Sequence, residues 1–144
     1  MERDRAALAA ALRESVERIL EQVAEEAARA TTMASSVPDA SLVASYVTWM
    51  RPYVPTALAA AAADDARRSA LLERWLDTTV SQQVRPVPPV ARRGLFNLGF
   101  RLARTSVAAY AQENGLDAPA LDRELTDLES DMLATIARRS LGVA

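Results

Sequence analysis

The spacing of apolar residues constrains the fold of this chain more than any other feature. Near the N-terminus, apolar side chains recur every three or four positions, at Leu8, Leu12, Val16, Ile19, Leu20 and Val23. The positions between them carry charges at Arg13, Glu14, Glu17, Arg18, Glu21 and Glu25. Because residues three or four apart share one face of an α-helix, this pattern predicts a long amphipathic helix from Glu2 to about Ala30.

Helical spacing continues along the rest of the chain, and no segment alternates in the manner of a β-strand. We predict a second helix over residues 42–50 with an Ala-rich continuation over 56–63, a third over 64–80, a fourth over 89–114 and a fifth from 117 onward. Asp64, Asp65 and Asp117 are N-cap candidates, and Gly115 predicts a left-handed C-terminal cap. The predicted fold class is all-α. It is a single domain over residues 1–144, a bundle of about five helices whose last two are long and antiparallel.

The chain contains no His, no Cys and no Lys, so all seventeen basic residues are Arg. The missing types supply most general bases, soft metal ligands and thiolate or Schiff-base nucleophiles. We therefore predict a protein that is not an enzyme and that carries no cofactor. Without His, a His-ligated haem and a helical di-iron site of the Glu-x-x-His type are also excluded.

Arginines are concentrated around the predicted fourth helix, and acids follow on the fifth. The short turn at Gly115 places these helices antiparallel and sets Arg104 level with Asp127 and Arg101 level with Asp131. We expect cross-helix ion pairs there. The same register gathers five arginines at one end of the bundle, an arginine pole made of Arg85, Arg92, Arg93, Arg138 and Arg139. Such a pole is either a solvated surface or a binding site for phosphate, carboxylate or an acidic partner.

Aromatic residues make up only 5% of the chain. Five of them are candidates for the wall of an apolar ligand pocket, namely Tyr46, Trp49, Trp75, Phe96 and Phe100. The alternative is that they are the large residues of an Ala, Leu and Val core. Gly99, in the middle of the fourth helix, predicts close approach of a neighbouring backbone or of a ligand.

Carboxylates on the last helix are Asp122, Glu124, Asp127, Glu129 and Asp131. They are interleaved with a buried stripe of Leu and Met, so we expect all of them to face water. Asp64 and Asp65 lack the third carboxylate of an aspartate-rich magnesium motif and are better explained as helix caps. The sequence therefore predicts no metal site.

The chain between residues 40 and 63 is hydrophobic, with Arg51 as its one charge. Pro52 and Pro55 interrupt it before either half reaches the ~20 apolar residues that a membrane span requires. The N-terminus lacks the unbroken apolar region of a secretory signal. We predict no membrane span and a cytoplasmic location. The net charge of −2 argues against nucleic-acid binding.

Long amphipathic helices with few catalytic or metal-binding residue types favour a sensory or regulatory module that forms a homodimer and holds an apolar small molecule. In composition and architecture the chain is similar to ligand-binding and signal-input domains of bacterial regulators, including haem-less globin-like sensors. The alternative is an adaptor that binds an acidic partner or nucleic acid through the arginine pole. A third hypothesis is an enzyme that holds an anionic substrate with Arg, assisted by Gln82, Gln83 or Glu113.

Overall fold

The computed structural model of this protein describes residues 2–33, 51, 54–81 and 89–142. These residues form five α-helices, which are α1 (Glu2–Met33), α2 (Val54–Ala62), α3 (Asp65–Ser81), α4 (Pro89–Glu113) and α5 (Ala118–Gly142). The described part contains no strand, so the predicted all-α class is confirmed. The predicted helix over residues 42–50 lies outside the described residues.

The helix ends form as the capping signals predict. Asp64 precedes α3 and accepts the backbone N–H of Arg67 at 2.8 Å, and Asp117 precedes α5 and accepts that of Ala120 at 3.1 Å. Gly115 has a φ of 65°, which is the left-handed conformation expected after α4. The backbone N–H of the following residue, Leu116, returns to Ala111 at 2.8 Å and closes a Schellman motif. These caps fix where the helices end and begin.

Helix α1 is central to the bundle and packs against α2, α4 and α5. Its predicted stripe is buried, with Leu8 fully enclosed, except that Leu12 and Val16 are partly buried, and its charged stripe is exposed. Alanines such as Ala11, Ala60 and Ala111 have no exposed surface, so the helices approach closely at these positions. The predicted Ala, Leu and Val core is confirmed among the described residues. This packing is compatible with a single bundle.

Helices α4 and α5 are joined by four residues and pack against each other as an antiparallel pair. Arg104 forms cross-helix ion pairs with α5, as expected, but with Asp122 at 2.7 Å and Glu129 at 3.2 Å rather than with Asp127. Residues 122, 126 and 129 share one helix face, and Asp127 lies on the next face. The expected pairing of Arg101 with α5 is wrong, because Arg101 pairs with Glu26 of α1 at 2.9 Å.

Candidate functional site

The junction between α2 and α3 brings a helix C-terminus next to several charged side chains. Helix α2 ends at Ala62, so its last backbone carbonyls have no partner within the helix. The carbonyl group of Ala63 extends this row beyond the helix. Donors from α1 and α3 reach these oxygens, and acids of α5 surround the donors. The junction therefore places buried charged groups beside the apolar core.

Arg68 of α3 is the most deeply buried charged residue that the structure describes, with 1% of its surface exposed. Its Nε donates to the carbonyl oxygen of Ala60 at 2.9 Å, and its Nη2 donates to that of Ala61 at 3.1 Å. Nη1 donates to Asp131 of α5 at 3.2 Å. One guanidinium thus caps the C-terminus of α2, where a cation is favoured by the helix dipole, and links it to α5.

Arg5 of α1 also donates to a backbone carbonyl group at this junction, that of Ala63, and pairs with nearby acids. Its Nη1 donates to the carbonyl oxygen of Ala63 at 2.6 Å, its Nη2 to Asp65 at 2.6 Å and its Nε to Glu124 at 3.1 Å. Burial alone would lower the pKa of the Arg5 guanidinium, but its bonds to the two carboxylates together raise that pKa above its ordinary value. The hydrogen bond from Arg5 holds the pKa of Asp65 below its usual range.

Glu124 corrects the expectation that all acids of the last helix face water. Its side chain is only 10% exposed and pairs with Arg5, whose side chain is 13% exposed. The apolar stripe does not predict the burial of Glu124. Glu124 lies next to Leu125 on the buried side of α5, and the N-terminal end of α1 covers its side chain. The remaining acids of that set are exposed or partly exposed.

A groove opens beside this junction, between α3 and α5, with a volume of about 440 Å³. It is lined by Arg5, Asp65, Arg68, Ser69, Leu72, Glu124, Asp127, Ser130, Asp131, Ala134, Thr135 and Arg138. Thr135 is buried and donates to the carbonyl oxygen of Asp131 at 2.7 Å. The lining is therefore mostly charged and hydroxylated, in contrast to the apolar pocket that the aromatic residues predict.

Three of the five predicted pocket aromatics belong to the described residues. Phe96 and Phe100 of α4 are partly buried, with ring centroids 4.9 Å apart and planes inclined at 44°. Trp75 is also partly buried but lies on α3, which packs against α2 and α5. No described atom lies within 4 Å of the position that a Cβ on Gly99 would take. Tyr46 and Trp49 lie outside the described residues, so the pocket stays a prediction.

The arginine pole is described only in part. Arg139 of α5 pairs with Asp77 of α3 and, at 3.1 Å, with Glu73 of the same helix. The bond to Asp77, followed by that to Glu73, raises the pKa of Arg139 above its ordinary value. Arg138 pairs with Glu73 at 3.7 Å. Arg85 and the side chains of Arg92 and Arg93 lie outside the described part, so the pole also stays a prediction.

Sequence reasoning missed the α2–α3 junction altogether. A signal was present, because a short Ala-rich helix that ends at two aspartates leaves carbonyl groups in need of donors. Arg68 lies close in sequence and was available for that role, whereas Arg5 is 58 residues away from Ala63. Only the packing of α1 against α2 brings Arg5 to the junction. No group of three or more His, Cys, Asp or Glu side chains in the described ranges is arranged to hold a metal ion.

None of the helices in the described part is both long enough and apolar enough to cross a bilayer. The prediction of no membrane span is confirmed to that extent. Comparison of the chain with protein families, with curated proteins and with solved structures gives no match.

Proposed function

We propose that this protein is a non-enzymatic, cytoplasmic sensory or regulatory module that binds an apolar small molecule and forms a homodimer. The observation that carries the proposal is the aromatic surface of α4, which we define as Phe96, Gly99 and Phe100. These residues stand three and four positions apart and share one helix face. The two rings, inclined at 44° to each other, therefore share a helix face with a position where α4 has no side chain and where no described atom lies within 4 Å of an added Cβ.

The polar groups of the described residues fit this reading. The guanidinium groups of Arg5 and Arg68 are bonded to carboxylates and backbone carbonyls, and Arg139 is bonded to Asp77. Side chains held in this way stabilise helix ends and connect helices, so the described contacts give these arginines a structural role. The adaptor alternative is weakened by the same contacts, since Arg138 and Arg139, the two pole arginines of α5, already pair with Glu73 and Asp77.

The proposal is tested by filling the open position on α4. Gly99→Leu places an apolar side chain beside Phe96 and Phe100, where no described atom lies within 4 Å of the new Cβ. We expect Nile red, an uncharged apolar dye, to become fluorescent with the wild-type chain and to lose at least about 80% of that signal with Gly99→Leu, since a filled site cannot also hold a ring system.

Gly94→Leu is the matched control. Gly94 is also in α4 and is exposed, and no described atom lies within 4 Å of a Cβ added to it, but it lies on a different face from Gly99. We expect this variant to bind the dye as the wild type does. Equal dye binding by Gly99→Leu, or no binding by the wild type, contradicts the proposal. Native mass spectrometry of the purified chain tests the dimer separately, and a monomer with no bound mass contradicts that part.

A further inference from the structure

Helix α2 is the shortest helix of the described part. It has nine residues, and a helix of this length is not stable in water by itself, even when it is rich in Ala. Its buried residues, Ala60 and Ala61, each contribute only a methyl group to the core. Helix α2 packs mainly against α1 and α3 and much less against α5. Its attachment to the bundle therefore depends strongly on the polar contacts at its C-terminal end.

Those polar contacts come from a capping pair, which we define as Arg5 of α1 and Arg68 of α3. The two guanidinium groups donate to the carbonyl oxygens of Ala60, Ala61 and Ala63. The oxygen of Ala60 also accepts the backbone N–H of Ala63 at 3.3 Å. Two side chains from other helices thus supply most of the donors that the end of α2 lacks.

The capping pair is itself held by two carboxylates of α5. Arg5 donates to Glu124 at 3.1 Å, and Arg68 donates to Asp131 at 3.2 Å. These carboxylates are seven positions apart, which is about two helical turns, so they lie on the same side of α5. Helix α5 is therefore linked to the end of α2 through two guanidinium groups that lie side by side.

Open space lies on both sides of Arg5. One side is the groove between α3 and α5, and the other is a second groove of about 560 Å³ that includes Ala59 and Ala62 of α2 in its lining. Arg5 and Asp65 are the two residues common to both linings, so their ion pair separates the grooves. The end of α2 can therefore move without entering the packed core.

We infer that α2 opens as a unit while the other helices stay folded, and that α5 controls this opening through the capping pair. When the guanidinium groups leave the backbone carbonyls, α2 loses its cap and is too short to remain helical. Loss of the bridge between Arg5 and Asp65 also joins the two grooves into one cleft. A shift of α5 that carries Glu124 and Asp131 away from the junction thus releases α2. This opening involves no residue of α4, so it is independent of the apolar-ligand proposal.

The test is native-state hydrogen–deuterium exchange of the full chain. The readout is the amides of residues 58–62, because the first four N–H groups of α2 have no acceptor within the helix. We expect these amides to exchange at least about tenfold faster than the slowest amides of α5, as a locally opening unit does. Glu124→Gln should accelerate them at least about fivefold further and leave α4 unchanged, since a neutral amide holds Arg5 less strongly than a carboxylate does.

Glu129→Gln is the matched control. It is the same substitution on the same helix, but Glu129 pairs with Arg104 of α4 at 3.2 Å and lines neither groove. We expect exchange in α2 to stay within about twofold of the wild-type rate. An equal acceleration by the two variants overturns the control of α2 by α5.

Two further results overturn the inference. One is exchange of α2 at the same rate as the slowest amides of α5 in the wild type, and the other is a Glu124→Gln variant that leaves α2 unchanged or accelerates all helices equally. Urea denaturation of each variant identifies a loss of the whole fold. If Glu124→Gln does not fold, Asp131→Asn takes its place, because it weakens the hold on Arg68 at a half-exposed residue and should accelerate the same amides.

Discussion

The tetrapeptide Ala-Arg-Arg-Ser occurs at residues 66–69 and again at 137–140, and the two copies have different environments. In the first, Arg68 is 1% exposed and bonded to two backbone carbonyls. In the second, the side chains of Arg138 and Arg139 are 61% and 37% exposed and pair with acids of α3. The same four residues thus produce an internal helix cap in one place and a surface ion-pair cluster in the other.

If the helix dipole alone mattered, the arginine of the second copy would stabilise its helix more than the arginine of the first copy does. Arg68 lies in the first turn of α3, where a cation is disfavoured, and Arg139 lies near the C-terminus of α5, where it is favoured. Burial reverses this order, because the side chain of Arg68 is almost fully buried and faces the C-terminus of a second helix, α2. A buried charge bonded to backbone carbonyls is costly to remove, and an exposed pair is screened by solvent.

The largest effect is expected from Arg68→Met. The substitution leaves the carbonyl oxygen of Ala61 without its Arg68 donor and leaves that of Ala60 with only the backbone N–H of Ala63 at 3.3 Å, both in a buried place. We therefore expect the free energy of unfolding to fall by about 3 kcal/mol. Urea denaturation followed by far-UV circular dichroism measures this. Arg67→Met is the control, since Arg67 is the exposed neighbour in the same tetrapeptide. Equal losses in the two variants would contradict the assigned role of Arg68.

A much smaller effect is expected from Arg139→Met. Its partners Asp77 and Glu73 are exposed enough to be hydrated when the guanidinium is removed. We expect a small fraction of the loss seen with Arg68→Met, measured in the same denaturation experiment, and a loss that shrinks further in high salt. A loss as large as that of Arg68→Met would remove the distinction between the two copies of the tetrapeptide.

The smallest effect concerns pH and the exposed carboxylate of Asp65. Because Arg5 lowers the pKa of Asp65 in the folded state, this residue adds stability above its unfolded pKa and loses that contribution as pH falls through the folded pKa. The stability difference between the wild type and Asp65→Asn should therefore be constant above about pH 4 and shrink in more acid solution. Denaturation over a pH series measures it, and a difference that grows on acidification runs against the pairing.

The local elements of this fold were predictable from the sequence. The stripe from Leu8 to Val23, the caps at Asp64 and Asp117 and the left-handed Gly115 all depend on neighbours within a few positions. The pairing of Arg104 with α5 was also predictable, because a short turn fixes the antiparallel register. The exact ion-pair partners were not predictable, because they depend on how each helix is rotated about its axis. In the structure Arg101 faces α1 and pairs with Glu26, and Asp131 pairs with Arg68.

The candidate site was also only partly predictable from the sequence, because it depends on which helices pack together. The carboxylates of α5 were recognised, but Glu124 was expected in water, because nothing local reveals that the start of α1 covers it. The groove needs residues from α1, α3 and α5 together. Arg5 and Asp65 are 60 positions apart in the chain, and Arg68 and Asp131 are 63 positions apart. A single sequence without motifs does not specify contacts over such distances.

The sequence by itself determined that the described part of this chain is all-α, the approximate bounds of its helices, and that His, Cys and Lys chemistry is absent. These properties follow from composition and from interactions within one or two helical turns. Only the tertiary structure decided that Arg68 is buried while Arg139 is not, and that a charged groove lies between α3 and α5. Burial and charge pairing depend on which helices meet, and helix packing involves contacts between distant parts of the chain.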